Sequence, residues 1–189
     1  MDKQSALAGL HAQMAADRSL PLVANLVFGE GSPDCDVLFI GEAPGAKEDE
    51  LVRPFVGRSG KLLDKMLQEI GMKREDVYIT NIVKRRPPEN RDPSPEEITA
   101  YKPYLTRQID IINPCVIATL GRFSMNYFLP DGKISRDEGK LIRVGRYMIY
   151  PMFHPAAALR APAMSAAFTK SFLALPRALT KCKELRAEK

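Results

Sequence analysis

Short apolar runs bounded by glycine, proline and acid alternate along this chain with stretches in which apolar residues recur every three or four positions. These are the spacings of buried strand and amphipathic helix. Val37-Leu38-Phe39-Ile40, residues 77–83 and residues 115–120 predict strands. Helical spacing predicts a helix over 2–18 with Leu7, Leu10 and Met14 on one face, and a second that carries Leu62, Leu63, Met66, Leu67 and Ile70 and stops at Gly71. Ser94-Pro95-Glu96-Glu97 opens a third as a capping box with proline at the first helical position. Ile98, Tyr101, Leu105, Ile109 and Ile112 point inward from it, and Pro103 is expected to kink or interrupt it. A short helix to Phe128, a hairpin over 141–153 turning near Gly145, and a C-terminal helix bent at Pro176 complete the pattern. Between these lie a turn at 29–33, two glycine-proline loops between Gly41 and Gly57, and a four-proline connection over 84–95.

Strands that alternate with helices imply a mainly parallel, doubly wound sheet. The expected fold is α/β: a single domain over residues 1–189, a three-layer α/β/α sandwich around a mainly parallel central sheet. Ligands in such sheets sit beyond the carboxyl ends of the strands. That gathers the Glu42 loop, Asn81, Gly121 and His154 around one pocket.

Composition adds little to the fold and something to the partner. The 189 residues are 45% hydrophobic and 27% charged, as in ordinary soluble domains. No apolar run reaches the ~18 residues that span a bilayer, and the first residues lack a signal-peptide core. A cytoplasmic monomer without membrane contact is the expectation. The net charge of +5 suits a polyanionic partner. Cys35, Cys115 and Cys182 are far apart and form no Cys-x-x-Cys pair, which argues against disulfide scaffolding and a metal centre and for reduced, buried thiols. The glycine-rich loop matches neither nucleotide-binding fingerprint.

Each candidate site residue has a plain reading beside a functional one. His154 is one of two histidines and follows a strand directly, before a proline turn. Asn81 lies inside a β-branched apolar run, where a polar side chain needs a partner. Phe55, between a proline and a glycine-bearing loop, either packs on the core or stacks on a ligand. Glu42 and Glu48 are solvated acids or pocket acids, and Lys84-Arg85-Arg86 is a solvated charge run or a phosphate-binding rim. A stacking aromatic, an asparagine, a histidine and a basic rim together fit the recognition of one extruded nucleobase.

From Val27 onward these residues stand in ordered landmarks: Val27-Phe28-Gly29-Glu30-Gly31, Gly41-Glu42-Ala43-Pro44-Gly45, Arg53-Pro54-Phe55-Val56-Gly57, Ile79-Thr80-Asn81-Ile82-Val83-Lys84, Asn90-Arg91-Asp92-Pro93 and Phe153-His154-Pro155-Ala156. In them the chain resembles the uracil-DNA glycosylase superfamily, most closely its fourth, iron–sulfur family. The resemblance implies a monofunctional enzyme of base excision repair that hydrolyses the N-glycosidic bond of uracil in single- or double-stranded DNA. Phe55 would stack on the flipped base, Asn81 would bond its pairing edge, and His154 would donate to the oxygen where charge develops. Gly41, Glu42 and Ala43 would line the pocket, Glu48 would exclude thymine, and Leu159 would wedge into the minor groove beside Arg160. Lys84, Arg85, Arg86, Arg91 and Arg160 are the expected phosphate contacts. With Ala43 where relatives outside the fourth family carry a water-orienting aspartate, Glu42 or a pocket backbone group would hold the water.

The fourth family holds its cluster with four cysteines. Here none precedes Cys35, and Arg85 and Tyr101 fill the last two ligand positions. Thiolates are what such clusters require, so no metal or cofactor is expected. Arg85 is expected to lie against the face of Tyr101, whose ring would fill the vacated volume, with Met14 and Leu20 packed on the same spot. Two alternatives remain: a glycosylase for another deaminated base such as hypoxanthine, and a non-catalytic DNA-binding module.

Overall fold

A computed structural model of the chain describes residues 2–188. They form, in order, α1 (Lys3–Ala16), β1 (Glu30–Gly31), β2 (Val37–Gly41), α2 (Ala46–Leu51), α3 (Arg58–Glu69), β3 (Tyr78–Asn81), α4 (Pro95–Ile112), β4 (Val116–Leu120), α5 (Arg122–Phe128), α6 (Ile134–Asp137), β5 (Ile142–Val144), β6 (Tyr147–Met152), α7 (Pro155–Ala158) and α8 (Pro162–Ala187). The sheet runs β1-β3-β2-β4-β6-β5. Its four inner strands are parallel, and the edge strands β1 and β5 are antiparallel.

The two-residue alternation of the strands divides the core into two layers. Val37, Phe39, Ile79, Val116, Ala118 and Tyr150 face α3 and α8, where Leu63, Leu67, Phe168 and Phe172 pack. Leu38, Ile40, Tyr78, Ile117 and Ile149 face α1 and α4, where Leu10, Met14, Tyr101, Leu105 and Ile109 pack. The α/β sandwich expected from the sequence is the fold observed. Helix α3 ends as its glycine predicts, with Met72 N–H on Leu67 O (2.9 Å) and Gly71 N–H on Gln68 O (3.0 Å). The capping box of α4 forms: Glu97 N–H donates to Ser94 Oγ (3.2 Å) and Ser94 N–H to Glu97 Oε2 (2.8 Å).

Several local expectations give way. Pro103 does not interrupt α4, and Pro176 lies inside α8; the packing of long apolar faces on the sheet outweighs the one backbone bond each ring removes. The presumed turn at 29–33 contains β1, which closes the sheet edge on β3. The first pocket loop holds the helical turns of α2, started by acids in its first turn.

Candidate active site

Strand β2 pairs with β3 on one side and β4 on the other, so the chain winds outward in both directions from β2. This is the switch point where doubly wound sheets leave a crevice. Gly41 ends β2 and Asn81 ends β3 in register with it. A Cβ on Gly41 would lie 2.4 Å from Asn81 Oδ1 and 2.6 Å from the Phe55 ring, so only glycine lets the two side chains meet over the strand end. Asn81 is 1% exposed, and its Oδ1 has no hydrogen-bond partner. Buried acceptors are seldom left unmatched. Thr119 Oγ1 on β4 is the other such atom among the described residues.

His154 caps α7 straight after β6. Its Nδ1 accepts from Ala156 N–H at 3.1 Å, which leaves Nε2 to carry the ring proton. Burial, then the charge of Arg160, pushes its pKa down to about 4. The ring is therefore a neutral donor at physiological pH. Phe55 lies 5.7 Å from it, centroid to centroid. Glu42 follows Gly41 directly. Burial first, and then Asp92, raises its carboxyl to about 7, while Arg122 at the start of α5 pulls the other way. Ala43 is half-buried beside it. A base poised near neutrality, a neutral donor, an orphan acceptor and an aromatic ring thus surround one crevice.

Glu48 is placed differently from a free pocket wall. Its Oε1 accepts from Val56 N–H (3.0 Å) and Gly57 N–H (2.8 Å), and its Oε2 from Gly45 N–H (3.2 Å), which ties the two loops together around Phe55. Phe55 itself sits at φ +50°, a sparsely populated conformation for a bulky residue. Gly60 allows it: a Cβ there would lie 1.8 Å from Phe55 O. Arg74 braces the loop from behind, with Nη1 on Phe55 O (3.0 Å) and Asp64 (2.8 Å), Nη2 on Pro54 O, and Nε on Glu30 (2.7 Å). Sequence reasoning missed Arg74, Asp92 and Arg122. The only signal was the acid of Gly29-Glu30-Gly31, which has no periodicity to reveal its distant partner.

The basic rim needs correction. Lys84 is 0% exposed: its ammonium meets Thr80 Oγ1 and Gln108 Oε1 (2.6 Å), so it touches no phosphate in this fold. Burial without a carboxylate partner drives its pKa well down. Arg85 turns inward to Ala24 O, and Arg91 forms a two-bond fork with Glu97 (2.9 and 2.6 Å). Arg86, on Asn90 Oδ1 at 2.6 Å, and Arg160 stay at the surface. Leu159 is 43% exposed at the end of α7.

Arg85 and Tyr101 come together, though by polar contact. Tyr101 donates to Pro21 O (2.7 Å) and Arg85 stands beside its hydroxyl, so the expected stack on the ring face is replaced by a hydroxyl–guanidinium contact. Met14 and Tyr101 share one buried cluster, with Leu20 and Leu22 packed against it. An iron–sulfur cluster does not fit these residues: neither arginine nor tyrosine supplies the thiolate it requires, and Tyr101 is buried among apolar side chains. Among the described residues no three His, Cys, Asp or Glu side chains gather to hold a metal.

Residues 28–176 match the model of the uracil DNA glycosylase superfamily, and the chain belongs to that superfamily. Within it, the chain is similar to proteins named type-4 uracil-DNA glycosylase. That of Sulfurisphaera tokodaii is 50% identical over 73% of this chain and 67% of its own length. The Thermotoga maritima protein is 49% identical over 72% of each chain, and the Saccharolobus solfataricus protein 45% identical over 82% of this chain and 77% of its own.

Proposed function

We propose that this protein is a uracil-DNA glycosylase that hydrolyses the N-glycosidic bond of deoxyuridine in DNA and leaves an abasic site. The observation that carries the reading is the orphan Oδ1 of Asn81 at the floor of the crevice. Uracil presents an imide N3–H that such an acceptor completes. Cytosine presents a bare ring nitrogen there, which would leave two acceptors facing each other. Mismatches of this kind are strongly rejected because they strand buried polar groups.

In this mechanism the base leaves the helix and stacks on Phe55, whose loop Glu48 and Arg74 hold in place. As the bond from C1′ to N1 breaks, its electron pair moves onto the base and charge builds on a carbonyl oxygen of the base. The Nε2–H of neutral His154 donates to that oxygen; removing one such donor typically costs 10²–10³ in rate. Water attacks C1′, and Glu42 takes its proton, a role suited to an acid whose pKa lies near the working pH. The departing uracil anion takes up a proton from solvent and Glu42 returns its own, which balances the hydrolysis. Glu48 would wall the 5-methyl position through the loops it fixes. Arg86 and Arg160 would bind phosphates, with Leu159 as the wedge.

The enzyme would need no iron–sulfur cluster, the segment around Tyr101 supplying the support. No helix among the described residues is long and apolar enough to cross a membrane, and action as a cytoplasmic monomer on single- or double-stranded DNA is our working picture. The test is base release from oligonucleotides carrying uracil, hypoxanthine or no lesion, with iron measured on the same preparation. Release of uracil alone by colourless protein is expected. Preferred release of hypoxanthine would favour the other deaminated-base reading, and binding without release would favour the non-catalytic module.

A further inference from the structure

The sheet segregates the three thiols. Cys35 lies in the layer under α1 and α4. Cys115, just before β4, and Cys182, near the end of α8, share the opposite layer. All three are buried. The Cys115 thiol faces Cys182 Sγ at 2.6 Å, and Cys182 Sγ lies 2.8 Å from Cys115 O. The pair joins residues 67 positions apart. Nothing in the crevice at the carboxyl ends of the strands uses these sulfurs, which sit at the amino end of β4.

We propose that Cys115 and Cys182 form an intramolecular disulfide that braces α8 against the sheet. The three thiols are free and buried in the structure, as wide spacing leads one to expect, and the proposed bond goes beyond that state. The oxidant is a small-molecule disulfide. One cysteine thiolate attacks it and releases one small thiolate. The second cysteine then displaces the other from the mixed disulfide, so the protein loses two protons and two electrons and two small thiols are formed. Burial raises the Cys115 pKa to about 12, and both sulfurs are enclosed, so an oxidant reaches the folded pair slowly. The bond is therefore set during folding, while the sulfurs are still accessible, and reductant breaks it again as the protein opens during a melt. Cys35 stays out because the sheet lies between.

The brace acts on stability, not on chemistry. Helix α8 runs unbroken from Pro162, two residues after Arg160, to Ala187, so the link fixes the end of the helix far from the DNA-facing loop. Closing a loop of this size should raise the melting temperature by roughly 10 °C.

The test is to unfold the full chain, refold it with mixed reduced and oxidised glutathione, alkylate the remaining thiols and map the peptides. The expected result is a Cys115–Cys182 linked peptide, alkylated Cys35, and a melting temperature lowered by about 10 °C when reductant is added. Cys35→Ser should behave identically, and excision at 25 °C should not depend on reductant. Three alkylated cysteines, a link that includes Cys35, or a melting temperature indifferent to reductant would overturn the proposal. Cys115→Ser and Cys182→Ser should abolish the shift; if either fails to fold, the wild-type map and Cys35→Ser still decide.

Discussion

Strand β3 carries two polar clusters on opposite faces, one residue apart. On the face toward α4, Thr80 Oγ1 donates to Phe28 O (2.8 Å) and meets the Lys84 ammonium, which also reaches Gln108 Oε1; Gln108 Nε2 in turn reaches Phe28 O (3.1 Å) and Tyr78 (3.3 Å). Every partner in this set is internal and the set is closed to solvent. On the other face, Asn81 Oδ1 has no partner, His154 keeps Nε2 free, and Glu42 is held near neutrality. Both clusters use polar side chains in an apolar strand, and a sequence pattern cannot tell them apart. What separates them is satisfaction. A satisfied buried network supports a fold, whereas an unsatisfied one waits for a ligand.

The contrast can be broken at either cluster. The largest effect is expected from Glu42→Gln, which should slow single-turnover excision by about 10³ and remove the rise of rate with pH centred near 7. The same change should stabilise the protein at pH 8. A carboxyl whose folded pKa is raised holds a proton that the unfolded chain has already lost, so the folded state forfeits stability as pH climbs past the ordinary carboxylate range. Unchanged stability would mean that Glu42 is solvated.

Lys84→Ala should do the reverse, costing roughly 2–5 kcal/mol of stability through a cavity and stranded acceptors while the salt dependence of DNA binding stays as in wild type. The sign with pH is opposite as well. Burial lowers the folded amine's pKa below its unfolded value, so the unfolded chain binds more protons between the two, wild-type stability should rise with pH toward 10, and Lys84→Met should flatten that rise in urea melts. Phe55→Ala should weaken binding of uracil-containing DNA by about 1–3 kcal/mol; unaltered binding with an intact fold would make Phe55 a packing residue. The smallest effects belong to the rim. Arg86→Ala and Arg160→Ala should each reduce the slope of log K against log salt by about 0.9 on duplex DNA. An unchanged slope would remove that residue from the interface.

The elements with long periodic faces were legible in the sequence. So was the arrival of Glu42, Asn81 and His154 at strand ends, because parallel topology forces it. The roles of the basic residues were not. Lys84, Arg85 and Arg86 read as one charge run, yet they end in a buried network, an inward brace and the surface, because burial depends on which way β3 leaves the sheet. Tyr101 was expected inside, and it is. Its hydroxyl donates to the Pro21 carbonyl, 80 residues away in sequence, and the expected guanidinium stack on its ring face does not form. Arg74 was invisible for the same reason: its acceptors on Pro54, Phe55 and Glu30 are brought to it only by the finished fold.

The claim that the unsatisfied cluster is the site, and the satisfied one its support, rests most directly on Asn81→Ala. Single-turnover excision from a uracil oligonucleotide and thermal melting should be measured on the same preparation. An orphan acceptor contributes nothing to the folded state, so the account predicts a loss of rate of at least about 10² with a melting temperature within a few degrees of wild type. Retained excision, or a melting temperature that falls as far as that of Lys84→Ala, would contradict it.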